Sequence, residues 1–257
     1  MAFSPITDLI VWRLKGRLAR MRRMMEDPLT VQREQFDMLM HRGAKTAYGQ
    51  AHGIESGISP ISYSQRVPII NYESLTPWID RTMKGEQGLL WDGPIAWFAK
   101  SSGTTAARSK FIPVSRESLD DNHLAGGRDL LALYTAQCED SRLFDGLSLR
   151  LGGSTKINDL HGVSYFGDLS AIMIENLPFW AEWRSTPSHE VALLEEWEEK
   201  IERIISQVIK QNVTSLFGVP SWMLVLMRRV LENRGVKHLS EVWPNLELFV
   251  HGGVSYT

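Results

Sequence analysis

Between Ser101 and Lys110 the chain reads Ser-Ser-Gly-Thr-Thr-Ala-Ala-Arg-Ser-Lys, placing hydroxyls, a glycine and an ammonium in one short stretch. A polyphosphate offers only acceptor oxygens and several negative charges. It needs backbone N–H groups, side-chain donors and a cation brought to one small volume. Glycine lets the backbone approach closely, and serine or threonine can donate to phosphate or coordinate magnesium through its hydroxyl. The apolar run Ile95-Ala96-Trp97-Phe98-Ala99 immediately before it reads as a strand ending in this loop. The stretch is therefore read as an ATP-handling loop, against the alternative of a plain Ser/Thr/Gly surface loop. It is not a Walker loop, because Ser109 stands where a glycine must precede the lysine. It lacks the three spaced glycines of a dinucleotide fingerprint, having only Gly103.

The order of residues, continuing into Phe111-Ile112-Pro113-Val114-Ser115, resembles the phosphate loop of adenylate-forming enzymes, the superfamily of acyl-CoA synthetases and luciferase. It is most similar to the bacterial relatives of the auxin-responsive promoter family of acyl acid–amido synthetases. Five segments carry that resemblance in the family's order: RVPIINYESLTPWIDRTMKGEQGLLW, WFAKSSGTTAARSKFIPVS, GDLSAIMIENLPFW, GVPSWMLVLM and VWPNLELFVHGGVSYT. Ala107 departs from it, standing where many members carry a second loop glycine.

The resemblance implies an α/β fold, the N-terminal part of an adenylate-forming large domain with a β-sheet flanked by helices. It implies a ligase using ATP and Mg2+. A carboxylic acid is activated as an acyl-adenylate, and an amine such as an amino acid then takes the acyl group. By the same resemblance Ser101, Ser102, Gly103, Thr104 and Thr105 cradle the phosphates and Lys110 supplies charge. Thr104 and Lys110 are then the candidate catalytic groups, and Thr104 or Thr105 reaches Mg2+. Gly252, Gly253, Val254 and Ser255 flank adenine and the acyl group, while Val219, Pro220 and Trp222 line an acyl pocket. Family members continue with a magnesium-holding glutamate, a ribose-binding aspartate and a small C-terminal domain. The chain is accordingly read as an N-terminal fragment, inactive alone. Two alternatives stay open, transfer to a thiol such as coenzyme A and a non-catalytic nucleotide-binding remnant.

Composition is that of an ordinary globular protein: 257 residues, 43% hydrophobic and 9% aromatic. A formal charge of −2 gives no case for a nucleic-acid partner. The lone Cys138 cannot form an internal disulfide, which fits a reducing, cytoplasmic location. No run reaches the roughly 20 apolar residues of a membrane span. A basic stretch from Arg13 to Arg23, interleaved with Trp12, Leu14, Leu18, Met21 and Met24, is read as a surface helix packed on the domain, against the alternatives of a helix lying on an anionic membrane and an organelle transit peptide.

The elements that must position these groups fall into a helical lead-in (1–45), a loop-rich wrap (46–94) and an α/β core (95–257). Thr30 is read as the N-cap of a helix to His41, closed by Gly43. Ser115 caps a helix running toward Tyr134, weakened by Gly126-Gly127. Strands are expected at Leu147–Leu151, Thr214–Phe217 and Leu246–Val250, each ending in a glycine-bearing loop. With the strand ending at the phosphate loop, these four endings are read as one cleft at a sheet's carboxyl edge. Thr186-Pro187 opens a helix whose stripe is Leu194, Trp197, Ile201, Ile204 and Val208, with Glu196–Lys200 and Glu199–Arg203 pairing on its wet side. A second helix runs from an N-cap at Ser221 to Gly235. The scattered histidines give no zinc pattern, and no Gly-x-Ser-x-Gly elbow occurs. Cys138 is read as a core thiol and His251 as structural.

Overall fold

The computed structural model describes residues 5–101, 109–152, 158–160 and 162–252. Helix α1 (Pro5–Glu26) is followed by α2 (Pro28–Gly43), α3 (Ala47–Ala51), α4 (Pro60–Arg66) and α5 (Tyr72–Met83). Strands β1 (Trp97–Ser101) and β2 (Lys110–Val114) lead into a π-helical turn at Ser118–His123 and α6 (Leu124–Gln137). Then come β3 (Leu147–Leu151), β4 (Asn158–Leu160), β5 (Ser164–Gly167), α7 (Leu169–Glu175) and α8 (Phe179–Trp183). The chain closes with β6 (Ser185–Thr186), α9 (His189–Ala192), α10 (Trp197–Val208), β7 (Val213–Gly218), α11 (Pro220–Arg234) and β8 (Leu248–Val250). This mixture of sheets and flanking helices is the α/β class expected.

The chain divides into two compact units, one of residues 1–16, 127–156 and 170–257, the other of residues 17–126 and 157–169. The second unit holds a four-stranded sheet in the order β2-β1-β5-β4, in which β1 is antiparallel to β2 and parallel to β5. Helix α5 supplies Ile79 and Met83 to its core, packed with Ile95, Phe98, Phe111 and Phe166. Asn71 caps α5 by accepting from Ser74 N at 3.0 Å.

The first unit holds an all-parallel sheet in the order β6-β3-β7-β8. Parallel strands are normally covered by crossover helices, and α10 and α11 serve that role here. Ile201, Ile204 and Val208 of α10 and Met223, Leu226 and Val230 of α11 are buried with Leu149, Leu151 and Leu216 of the sheet. Trp243 is sealed into the same core, its indole donating to Val208 O at 3.0 Å.

Several local expectations are corrected. Asp27, not Thr30, caps α2, accepting from Thr30 N at 3.3 Å, because Pro28 already occupies the first helical turn. The helix expected from Thr186-Pro187 is two helices. Thr186 belongs to β6, Ser188 stands before the short α9 without a side-chain capping bond, and Glu196 caps α10 by accepting from Glu198 N and Glu199 N. Glu196 is thus spent on the helix end and does not pair with Lys200, which lies fully buried. The Glu199–Arg203 pair does form, at 2.6 Å. Helix α11 starts two residues earlier than expected, with Val219 at the cap and Pro220 at the first turn, and ends at Gly235 with φ 65°. Cys138 is exposed and not a core thiol, because it lies just past the last residue of α6, outside the helix.

Candidate functional site

The phosphate-loop stretch connects the two strands of a hairpin. Ser101 ends β1, Lys110 begins β2, and the two are register partners across the antiparallel ladder. Facing partners in such a ladder stand about 5 Å apart at Cα. A serine and a lysine therefore face each other at the loop end of the hairpin. Ser102, Gly103, Thr104, Thr105 and Ala107 lie outside the described residues. The stretch returns as β2, a strand not expected from the sequence, before Ser115 starts the helix. Ser115 Oγ accepts from Ser118 N at 3.1 Å there, as its sequence position foretold.

Two residues of α5 brace the hairpin. The Tyr72 hydroxyl accepts from Phe111 N at 2.8 Å and donates to Phe111 O at 3.1 Å. Because β2 is an edge strand, this hydroxyl satisfies backbone groups that no neighbouring strand takes. Lys110 lies over the Tyr72 ring, its Nζ 5.0 Å from the centroid, and 4.0 Å from the Glu73 carboxylate. That pair is solvent-exposed, so it holds the ammonium only loosely. Behind the hairpin, Glu117 accepts from Arg42 Nη2 at 2.6 Å and Trp91 Nε1 at 3.0 Å. Burial opposes its ionisation, yet backbone, arginine and indole donors together bring its pKa down to about 2.

In the other unit, β3, β7 and β8 run parallel, so their carboxyl ends share one sheet edge. Gly152, then Gly218-Val219-Pro220, then His251-Gly252 lie at that edge. Three of the four glycine-bearing strand ends are therefore brought together. The fourth ends β1, a strand of the other sheet. At Gly218 a Cβ would stand 2.8 Å from Leu151 O, so the close approach of β3 and β7 requires glycine. Pro220 is buried, Val219 part-buried, and Trp222 exposed, its ring centroid 6.0 Å from that of Trp197. Gly252 follows β8, His251 stacks obliquely on Phe249 at 5.2 Å, and Gly253, Val254 and Ser255 lie outside the described residues.

A buried and a part-buried cation meet the same edge, and neither was singled out from sequence. Lys200 on α10 is fully buried, with Nζ 3.4 Å from Gly152 O. Burial lowers its pKa to about 8. Its signal was present, since position 200 sits among 197, 201 and 204 on the helix's apolar stripe. Arg150 sits on β3 in the run Leu-Ser-Leu-Arg-Leu, whose alternation sends Leu149 and Leu151 to the core and Ser148 and Arg150 to the other face. Ser148 Oγ and Ser215 Oγ, 2.8 Å apart, mark that other face. Arg150 Nη1 is buried with no hydrogen-bond partner. Burial pulls the guanidinium's pKa down to about 10, against the opposite pull of Glu182. Among the described residues no group of three or more His, Cys, Asp or Glu is placed to hold a metal ion. None of the helices searched is long and apolar enough to cross a membrane.

Comparison with known proteins follows the same lines. The model of the GH3 family N-terminal domain matches residues 17–257. Indole-3-acetic acid-amido synthetase GH3.6 of Arabidopsis thaliana is 32% identical over 95 residues, 37% of this chain and 16% of the relative. Jasmonoyl-L-amino acid synthetase JAR4 of Nicotiana attenuata is 28% identical over 98 residues, 38% of this chain and 17% of the relative. Among solved structures, GH3.15 acyl acid amido synthetase superposes with a TM-score of 0.69 at 19% identity, covering 86% of this chain and 39% of that one. The same synthetase in complex with 2,4-DB gives a TM-score of 0.62 at 20% identity, with 77% and 34% covered. The matched stretches are thus well under half the length of the proteins they match.

Proposed function

Since this chain belongs to the GH3 family, whose N-terminal domain it matches over residues 17–257, we propose that it forms the phosphate-binding part of an ATP-dependent acyl acid–amido synthetase. The supporting observation is the hairpin mouth. Ser101 and Lys110 are register partners there, and the hydroxyl- and glycine-bearing connection lies between them. In this reading Ser101, Ser102, Gly103, Thr104 and Thr105 hold the β- and γ-phosphates, and Lys110 swings from its loose pair with Glu73 to the nucleotide. The Thr104 or Thr105 hydroxyl would hold Mg2+, which would supply positive charge against the phosphates. A carboxylate oxygen attacks the α-phosphorus and pyrophosphate leaves. The amine then attacks the acyl carbonyl, losing a proton, and AMP leaves. The protein's work is to align two anions and offset the charge between them.

The other roles follow from the same proposal. The segment 95–257 serves as adenylation core behind the lead-in 1–45 and wrap 46–94. Gly252, Gly253, Val254 and Ser255 border adenine, and Val219, Pro220 and Trp222 border the acyl group. The acceptor is an amino acid, and the protein works in the cytoplasm. The test is ATP–pyrophosphate exchange by the full-length protein carrying Gly103→Val or Lys110→Ala. Loss of a preorganised phosphate donor lowers such rates by about 100-fold. Exchange untouched by both changes removes the phosphate-loop assignment. Thioester formation with coenzyme A in place of an amide with an amino acid would move the acceptor to the thiol class.

A further inference from the structure

Arg150 does not stand alone on its face of the sheet. It is the register partner of Phe217 on β7, which is in turn the partner of Val250 on β8. The three form one row across neighbouring strands at their carboxyl ends. All are part-buried, and their neighbours Leu149, Leu216 and Phe249 face the opposite core. Strands lie about 4.8 Å apart, so the row spans about 10 Å from guanidinium-bearing to aliphatic position. A cation, an aromatic ring and a branched aliphatic in that order match a small carboxylic acid laid across the strands.

The guanidinium itself supports an anionic guest. A buried nitrogen without a hydrogen-bond partner is expensive, and more so on a charged group. Among the described residues Arg150 has no ion pair within 4.0 Å, and Glu182 acts on it only at longer range. Arginine presents a planar fork of donors that suits a carboxylate better than any other side chain does.

Resting on the amido-synthetase reading above, we propose that Arg150, Phe217 and Val250 seat the acyl acid, with Arg150 taking the carboxylate and the apolar body lying across Phe217 and Val250. Two N–H groups of the fork converging on one carboxylate oxygen leave the other free to attack phosphorus. This makes Arg150 a substrate-binding residue and the row a determinant of which acids are accepted.

The experiment uses the full-length protein with indole-3-acetate, benzoate and 4-phenylbutyrate, each beside its carboxamide. Thermal shift is read without ATP, and the acid's KM is read in ATP–pyrophosphate exchange. In the wild type, at least one acid should raise the melting temperature more than its amide does. Arg150→Gln should erase that difference and weaken the acid by about 10- to 100-fold, the effect of one lost charge-assisted bond. Arg150→Lys, which keeps the charge without the fork, should fall between. Phe217→Ala should weaken acid and amide alike. An acid–amide difference that survives in Arg150→Gln, or is absent in the wild type, overturns the proposal. So does a normal KM for the acid combined with amide formation from an amino acid reduced to the rate with the amino acid's own amide. That result assigns Arg150 to the acceptor's carboxylate. If exchange is absent but Arg150→Gln still erases the acid-specific shift, the anion seat stands and the synthetase reading falls.

Discussion

Lys200→Met replaces a fully buried ammonium with an uncharged side chain of similar length, leaving no cavity of consequence. Burial brings the lysine's pKa from 10.5 to about 8. At about 1.4 kcal/mol per unit, holding its charge inside the fold at pH 7 costs about 3 kcal/mol. The substitution also loses the lysine's hydrogen bonds, among them the 3.4 Å bond to Gly152 O, at about 1 kcal/mol each. The variant should therefore be more stable than the wild type by about 1–2 kcal/mol at pH 7. The advantage depends on pH in a defined direction. Below pH 8 both folded and unfolded wild type hold the proton, and the penalty is full. Between pH 8 and 10.5 the unfolded chain binds more protons than the folded one, so wild-type stability rises with pH. Above 10.5 both states are neutral and the penalty is gone. Urea denaturation of both proteins from pH 7 to 10 should show the methionine variant's lead shrinking toward zero. A variant less stable than the wild type at pH 7, by a margin constant to pH 10, refutes the reasoning.

Two further predictions concern the hairpin and its support. Tyr72→Phe removes both hydrogen bonds to Phe111 and should lower stability by about 1–2 kcal/mol, part of the loss being recovered by water at the sheet edge. In the full-length protein it should raise the KM for ATP more than it lowers kcat, and unchanged ATP kinetics would detach Tyr72 from the phosphate loop. Glu117→Gln should cost about 1 kcal/mol at pH 7, a figure discounted for solvent screening of the part-exposed Arg42 pair. The folded pKa of about 2 lies below the ordinary 4.5, so this stabilisation is present above pH 4.5 and lost as pH falls toward 2. Denaturation at pH 7 and pH 3 should show the gap between the two proteins closing, and a gap equal at both values would contradict the assignment.

The legible part of the fold was the part written in apolar periodicity. Leu147–Leu151 and the stripe Ile201, Ile204, Val208 announced β3 and α10 directly, because burial alone decides both. The misread parts depend on partners distant in sequence. Lys110–Val114 is a strand because β1 pairs with it, although Pro113 makes it a poor strand by composition. As an edge strand it tolerates the proline. Assigning four glycine-bearing strand ends to one edge failed for the same reason. Nothing in Ile95–Ser101 says which sheet it joins. The stretch 101–110 was singled out by residue type and spacing, whereas Tyr72 looked like one more anchor until its hydroxyl reached Phe111. Arg150 and Lys200 were hidden because charged residues are read as solvated by default, and only their neighbours' burial reveals otherwise.

Those two cations bear on each other. Lys200 reaches the carboxyl end of β3 from the helix-covered face, and Arg150 leaves the same strand on the opposite face. Core formation alone would set apolar residues at both positions, as Ile201 and Leu151 beside them illustrate. Sequences break the burial rule at a cost in stability, and such breaks concentrate where ligands bind. An anion arriving at this strand end would offset the desolvation of both groups at once. If instead Lys200→Met proves destabilising at every pH, the lysine belongs to the core's own hydrogen bonding. The seat argued for Arg150 must then stand on its row with Phe217 and Val250 alone.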